Sequence, residues 1–493
     1  MVNRLEKIFR GMVYVLPVVL FFSYQPLMHF GASESMNFEI SLPLIWLVLF
    51  DVLVVWLMGK KKMLFRRFSK KWVWLLLPIW LSLSVLWSLN SLRGLLTVGI
   101  VWLIWLAVDG LVSLRSLFKD VGIKEKFWKV FFGSSLVICA WCWIQCVLDL
   151  VGVPREYSLM CEGCTYHMFG FPHPDGFAIE PQFMGNLLLA PTLIAMWLWI
   201  KTKVTPISDT LKGARSSLRP SMGIILVFIF TATLFLTFSR GAIYAFLIAM
   251  VVMTVWQIIQ TKKWKTLLVW PVVGLAFLFT LNAQGIMAAA SPTNDTYQSG
   301  VAKVINHLTL GVVDLRDNGR TEVEVVENPV ENFEEIETKD AIGIVDEGQM
   351  IDEKNAAFDG YVAESTDTRL RLSGAAFEVW RQDFKTAVIG VGLGGAAQAL
   401  YVNNLSPAPK EIVQNQYSSI LLETGVIGVI LCVLTLVLVV RMIWQSPLRV
   451  VLISLLVAYG ISLLFFSGLP NALQIYLLPA AIYAIGLRKK LVS

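Results

Sequence analysis

Twelve runs of about 20 mostly apolar residues constrain this chain more than anything else in it. They fall at roughly 11–30, 39–58, 72–90, 93–114, 127–150, 180–200, 220–239, 240–260, 265–286, 416–441, 447–467 and 470–487. An apolar helix of about 20 residues crosses a bilayer, because lipid offers the backbone no partners and a helix satisfies them internally. Composition agrees. Charged residues are 15% of the chain, against about a quarter in soluble domains, and the mean hydropathy is +0.67. The expected fold is an all-α integral membrane protein with about 12 transmembrane helices and one large extracytoplasmic loop. The first run follows a basic leader, "NRLEKIFR", without a small-x-small cleavage site, and reads as a retained anchor.

Basic residues set the direction. With the N-terminus cytoplasmic, the inside segments carry 28 of the 41 Lys and Arg. The short outside loops contribute only Arg93, Arg155 and Arg240, and the rest lie in one long loop. The alternation holds across all twelve runs, so both termini are expected in the cytoplasm. The net charge of +6 then faces anionic membrane lipid and is no sign of nucleic acid.

This divides the chain into nine helices over 1–286, an extracytoplasmic loop over 287–413 and three helices over 414–493. Within the loop, 314–367 holds 17 of the 35 acidic residues and four basic ones. It lacks apolar periodicity and reads as a disordered, solvated spacer. Residues 369–386 read as an amphipathic helix on the membrane surface, with Leu372, Ala375, Ala376, Val379 and Trp380 on one side. Next comes "GVGLGG", a GxGxxG match at Gly390, Gly392 and Gly395. A dinucleotide site needs a preceding strand and a cytoplasmic face. Close backbone approach or a sharp turn is the better reading. In the loop 151–179, Cys161 and Cys164 are expected as a disulfide or as free thiols rather than with His167 and His173 at a metal.

Polar groups gather on the same outer side. Arg93, Glu180, Arg240, Arg369, Arg371, Gln414, Asn415, Tyr417 and Glu423 all lie at or within the ends of apolar runs. Arg240 in "TFSRGA" has two readings, a guanidinium reaching lipid headgroups or an anion site beside a helix start at Gly241. Several arginines with one or two carboxylates point to a pyrophosphate-like anion.

In order, "LSVLWSLNSLRGLL", "EPQFMGNLLLAP", "TFSRGA", an arginine ahead of "GVGLGG", and "QNQYSSILLETGVIG" resemble the O-antigen ligase and O-antigen polymerase superfamily. The resemblance covers about Ser82 to Gly428. It implies an inner-membrane enzyme that moves a glycan from a polyprenyl-pyrophosphate carrier to an acceptor hydroxyl on the extracytoplasmic side. The acceptor is a glycan or a lipid, and the partners are that donor, that acceptor and membrane lipid. Inversion at the anomeric carbon is expected, without metal or cofactor. The family's arginines map onto Arg240 and Arg371, with Arg369 and Arg93 as further pyrophosphate ligands and Asn415, Tyr417 and Glu423 in support.

One position departs from the family, since Gln414 stands where a histidine is usual. Glutamine orients a hydroxyl but is no base near neutral pH. Glu180 is therefore expected as the catalytic base beside Gln414, although an acidic helix start before Pro181 is an ordinary capping arrangement. Should Glu180 not serve, the base is to be sought among His167, His173 and His307. A repeat-unit polymerase, a transporter or flippase of lipid-linked sugars, and a silent scaffold are the alternatives.

Overall fold

The structure is a computed structural model that describes residues 2–22, 28–33, 36–61, 72–118, 120–161, 164–165, 170–204, 220–292, 296–310, 312–313, 315, 367–409, 411–468 and 472–486. His167 and nearly all of the acidic segment 314–367 lie outside the described residues.

A helix stands at each of the twelve apolar runs. Seven are long and apolar enough to cross a membrane: Leu42–Lys60, Ser91–Ser113, Val121–Leu150, Pro181–Lys201, Arg240–Thr261, Trp264–Ala290 and Gln416–Trp444. Four apolar helices are shorter, namely Trp72–Trp87, Met222–Leu236, Arg449–Ser462 and Gln474–Ile485. The remaining one is Val2–Phe21, displaced from the expected 11–30. It begins in the basic leader and stops before Pro26, where a continuing helix would lose a hydrogen bond and clash. Beyond it, Met28–Ser33 and Met36–Ile40 pair antiparallel, with Phe30 opposite Phe38. This hairpin is the one departure from helix among the described elements.

Pro181–Lys201 is the centre of the bundle, with 94% of its apolar window buried. It packs against Pro220–Leu236, Arg240–Thr261 and Arg449–Ser462. Its sequence, "NLLLAPTLIAMWLWI", is apolar on every face, as an enclosed helix requires. Gln416–Trp444 is the opposite case, with 11% buried. Its exposed Val426, Ile430, Val433 and Val437 suit contact with lipid.

That outer helix breaks at Gly425, where φ is 63° and ψ is −170°. The break releases two carbonyls, which accept elsewhere. Val391 N–H donates to the Leu422 carbonyl and Gly392 N–H to that of Glu423, each at 2.9 Å. The "GVGLGG" loop thus lies directly on the kink. A Cβ on Gly390 would sit 2.4 Å from the Glu423 carbonyl, so the close approach expected of these glycines is what they provide. The element before the loop is a short helix, Phe384–Ile389, where a dinucleotide fold has a strand. Ser88 Oγ donates to the Leu393 carbonyl at 2.8 Å and Trp80 Nε1 to that of Thr424 at 3.3 Å, tying the loop and the kink to the helix Trp72–Trp87 and the turn that follows it.

The helix expected over 369–386 is two pieces, 367–380 and Phe384–Ile389. Asp383 divides them by accepting from the Thr386 N–H at 2.9 Å, which caps the second piece. The stripe Leu372, Ala375, Ala376 and Val379 is buried against Ala399, Leu400, Val413 and Leu422. Protein therefore covers the face expected to meet lipid.

Candidate functional site

Three helices begin at one end of the bundle. The Glu180 carbonyl accepts from Phe183 and Met184 N–H at 3.0 and 3.2 Å, starting Pro181–Val204. Ser239 Oγ accepts from Ala242 N–H at 3.4 Å, starting Arg240–Thr261. Asn415 Oδ1 accepts from Tyr417 and Ser418 N–H at 3.0 and 3.3 Å, starting Gln416–Trp444. A strap over residues 463–468 ties all three. The Leu463 carbonyl accepts Gln416 N–H at 2.9 Å, the Phe465 carbonyl accepts Gln182 Nε2 at 3.1 Å, and Gly468 N–H donates to Gln416 Oε1 at 2.7 Å. A Cβ on Gly241 would meet the Phe465 side chain at 2.9 Å. The positive ends of three helix dipoles point the same way, a setting that favours an anion.

Arg240 is the first residue of its helix and is only 6% exposed. That burial is at odds with a side chain reaching out to lipid headgroups. Around it stand Tyr244, one turn on, and His307 from the short helix Tyr297–Leu308. The Tyr244 hydroxyl donates to the Leu308 carbonyl and docks that helix. Arg369 lies within electrostatic reach of both His307 and Glu180, and its Nε–H donates to Gln414 Oε1 at 2.9 Å. Glu180 is reachable by solvent. Even so, the protein packed around its carboxyl displaces enough water to raise it above the usual range, against the opposing pull of Arg369. Burial, with Arg240 and His173 beside it, holds His307 well below the ordinary histidine value, so it is neutral at pH 7.

The turn that delivers Arg240 is unusual at Phe238. Its φ of 58° is left-handed, which costs a non-glycine residue on the order of 1–2 kcal/mol. The Phe238 ring is enclosed on three sides. His307 stacks on it at 4.1 Å and 15°, Phe171 meets it edge-on at 5.3 Å, and His173 lies 6.3 Å away. Phe171 and His173 follow the Cys161–Cys164 disulfide in the same outer loop, and that disulfide is the first of the two states expected of the pair. The Cys164 carbonyl accepts His173 N–H at 3.1 Å. Asp175 fastens the same loop by accepting from Cys161 N–H at 2.9 Å and Gln145 Nε2 at 3.0 Å.

The expected site residues divide into two groups. Glu180, Arg240, Arg369 and Gln414 come together. Arg371 does not join them. Two residues along a helix turn the side chain by about 200°, so Arg371 is exposed on the far side of helix 367–380 while Arg369 faces inward. Arg93 faces Glu423 instead. The Glu423 carboxylate also accepts from Ala396 N–H at 3.4 Å, which makes this pair a brace for the glycine loop. Asn415 caps its helix, and the Tyr417 hydroxyl donates to the Gly460 carbonyl at 2.6 Å. Sequence patterns gave no reason to place Tyr244, Gln416 or the strap at the site. They marked His307 only as one histidine of an outer loop.

These elements can hold a multiply charged anion between Arg240 and Arg369, with a carboxylate and an amide at its edge. Residues 225–433 match the family model described as O-antigen ligase. The matched segment takes in Arg240, His307, Arg369, Gln414 and Glu423, and it leaves out Glu180 and Arg93. No curated protein matches the chain. Over residues 225–433, then, this membrane protein carries a domain similar to the O-antigen ligase family.

Proposed function

We propose that this chain is a glycosyltransferase of the O-antigen ligase type, moving a glycan from a polyprenyl-pyrophosphate carrier to an acceptor hydroxyl. The observation that carries the reading is the meeting of a buried Arg240, at a helix start, with Arg369, Glu180 and Gln414. The acceptor oxygen bonds to the anomeric carbon as the bond to the pyrophosphate oxygen breaks, with inversion. The leaving pyrophosphate is already ionised and takes the electron pair, so it needs fixed positive charge rather than a proton. Guanidinium groups aimed in advance supply that charge without reorganising during the reaction. Glu180, its carboxyl raised by burial, takes the hydroxyl proton, while Gln414 holds Arg369 in place.

The charge pattern supports twelve spans, an inner-membrane location, cytoplasmic termini and a site facing out. The test is transfer from a polyprenyl-pyrophosphate glycan by purified protein, with a lipid acceptor in one arm and a second carrier-linked glycan in the other. Arg240→Lys should lose most transfer in either arm, because lysine cannot reproduce bidentate contacts to phosphate. Near-normal transfer by Arg240→Ala would overturn the reading. Transfer only to the carrier-linked glycan would make the chain a polymerase.

A further inference from the structure

The left-handed backbone at Phe238 calls for an explanation. Glycine adopts that conformation with least strain, yet the chain places a large aromatic there, immediately before the cap residue Ser239 and Arg240. The ring is only 4% exposed, enclosed by Phe171, His173 and His307. Those three residues come from two separate segments. One is the stretch after the Cys161–Cys164 disulfide, tied to it by His173 N–H donating to the Cys164 carbonyl at 3.1 Å. The other is Tyr297–Leu308, docked through the Tyr244 hydroxyl onto the same helix that Arg240 begins. The turn is thus clamped through its side chain, and what it delivers is a buried guanidinium.

We propose that Phe238 and His307 are positioning residues, whose stacked rings aim the Arg240 guanidinium at the pyrophosphate of the donor. This rests on the reading of Arg240 as a pyrophosphate ligand. Neither ring needs to touch the donor. The stack fixes the Phe238 backbone, that backbone sets the direction in which the helix starts, and the helix start sets where Arg240 points. Burial holds His307 neutral, so it adds no third cation beside Arg240 and Arg369; besides stacking on the Phe238 ring, it hydrogen-bonds the Phe238 backbone.

The test measures binding of a polyprenyl pyrophosphate to the full chain in lipid nanodiscs, with Arg240 present and in an Arg240→Ala background. Phe238→Gly removes the ring and eases the backbone, so folding is protected while aim is lost. It should weaken binding by about tenfold, the upper end of what a ring pair contributes. His307→Gln should do the same, and His307→Phe, which keeps a ring to stack, should stay within about threefold. In the Arg240→Ala background all three should change binding by less than about twofold, since residues that act through one group are not additive. Equal weakening in both backgrounds, or none in either, would overturn the proposal. Loss of binding in Arg240→Ala with no effect of Phe238→Gly would sink this proposal alone. Unchanged binding in Arg240→Ala would sink it together with the pyrophosphate reading.

Discussion

Arg369 donates its Nε–H to Gln414 Oε1 across 2.9 Å. The bond orients a guanidinium without neutralising it, because the acceptor is an amide. A carboxylate at position 414 would orient it equally well and cancel the charge that an anion needs. Gln414→Glu should therefore abolish use of the pyrophosphate donor, Gln414→Ala should do partial damage, and Gln414→His should stay active. Transfer rates of the three purified variants check this order, and an active Gln414→Glu would contradict it.

The same bond separates two neighbouring arginines. Arg369→Ala removes a group facing Glu180 and His307, and the expected loss of transfer is about 10²–10³-fold, as for other fixed donors to a developing charge. Arg371→Ala removes an exposed side chain and should stay within about threefold, in the range of ordinary surface changes. Single-turnover transfer with both variants decides it, and a reversed order would return the role to Arg371.

In the proposed mechanism Glu180 gives the reaction its pH dependence. Burial raises its carboxyl and Arg369 lowers it in part. The ionised form takes the proton, so activity rises with pH as Glu180 ionises, above the ordinary carboxylate range. Arg369→Gln removes the lowering charge and should shift this acidic limb of the rate profile to higher pH. Glu180→Gln should abolish transfer while donor binding survives. For stability the sign is opposite. A carboxyl raised in the folded state favours folding at low pH, and that contribution is lost as pH rises through its folded value. Rate profiles of wild type and Arg369→Gln test the shift.

The positions of the helices were legible because apolar length and basic loops are signals confined to short stretches. The end of the first helix was misjudged, since hydropathy continues past Pro26 while backbone geometry does not. Residues 369 and 371 could not be told apart by spacing to "GVGLGG". Only the buried stripe Leu372, Ala375, Ala376 and Val379 fixes the rotation of that helix. Phe238 and His307 belong to segments far apart in sequence, and "TFSRGA" marks the arginine without showing that the residue two before it has positive φ. Long-range stacking leaves no periodic trace in a single chain.

The proposed orientation is open to direct labelling. Lys262 follows the helix Arg240–Thr261, and Lys385 lies between helix 367–380 and the glycine loop; both are exposed. The proposed orientation puts Lys262 inside and Lys385 outside. A membrane-impermeant thiol reagent applied to intact cells should label Lys385→Cys and leave Lys262→Cys untouched until the membrane is opened. Labelling of Lys262→Cys from outside would reverse the topology and remove the extracytoplasmic site with it.

The kink and the glycine loop make a joint that tolerates no side chain. A Cβ on Gly425 would fall 2.3 Å from the Val388 carbonyl oxygen, and one on Gly390 would fall 2.4 Å from the Glu423 carbonyl. Both residues also hold positive φ, at 63° and 75°. Alanine there meets backbone on one side and an unfavourable conformation on the other, so neither rotation nor a small shift of a side chain relieves it. The expected cost is about 2–4 kcal/mol for each. Gly374 is the control, because nothing lies within 4 Å of its Cβ direction and it sits inside helix 367–380, where alanine should add about 0.5–1 kcal/mol. Thermal unfolding in detergent should place Gly374→Ala at or above wild type and both joint variants well below it. Wild-type stability in Gly390→Ala would mean that the loop can lift off the kink, and Arg93 and Glu423 would then brace nothing.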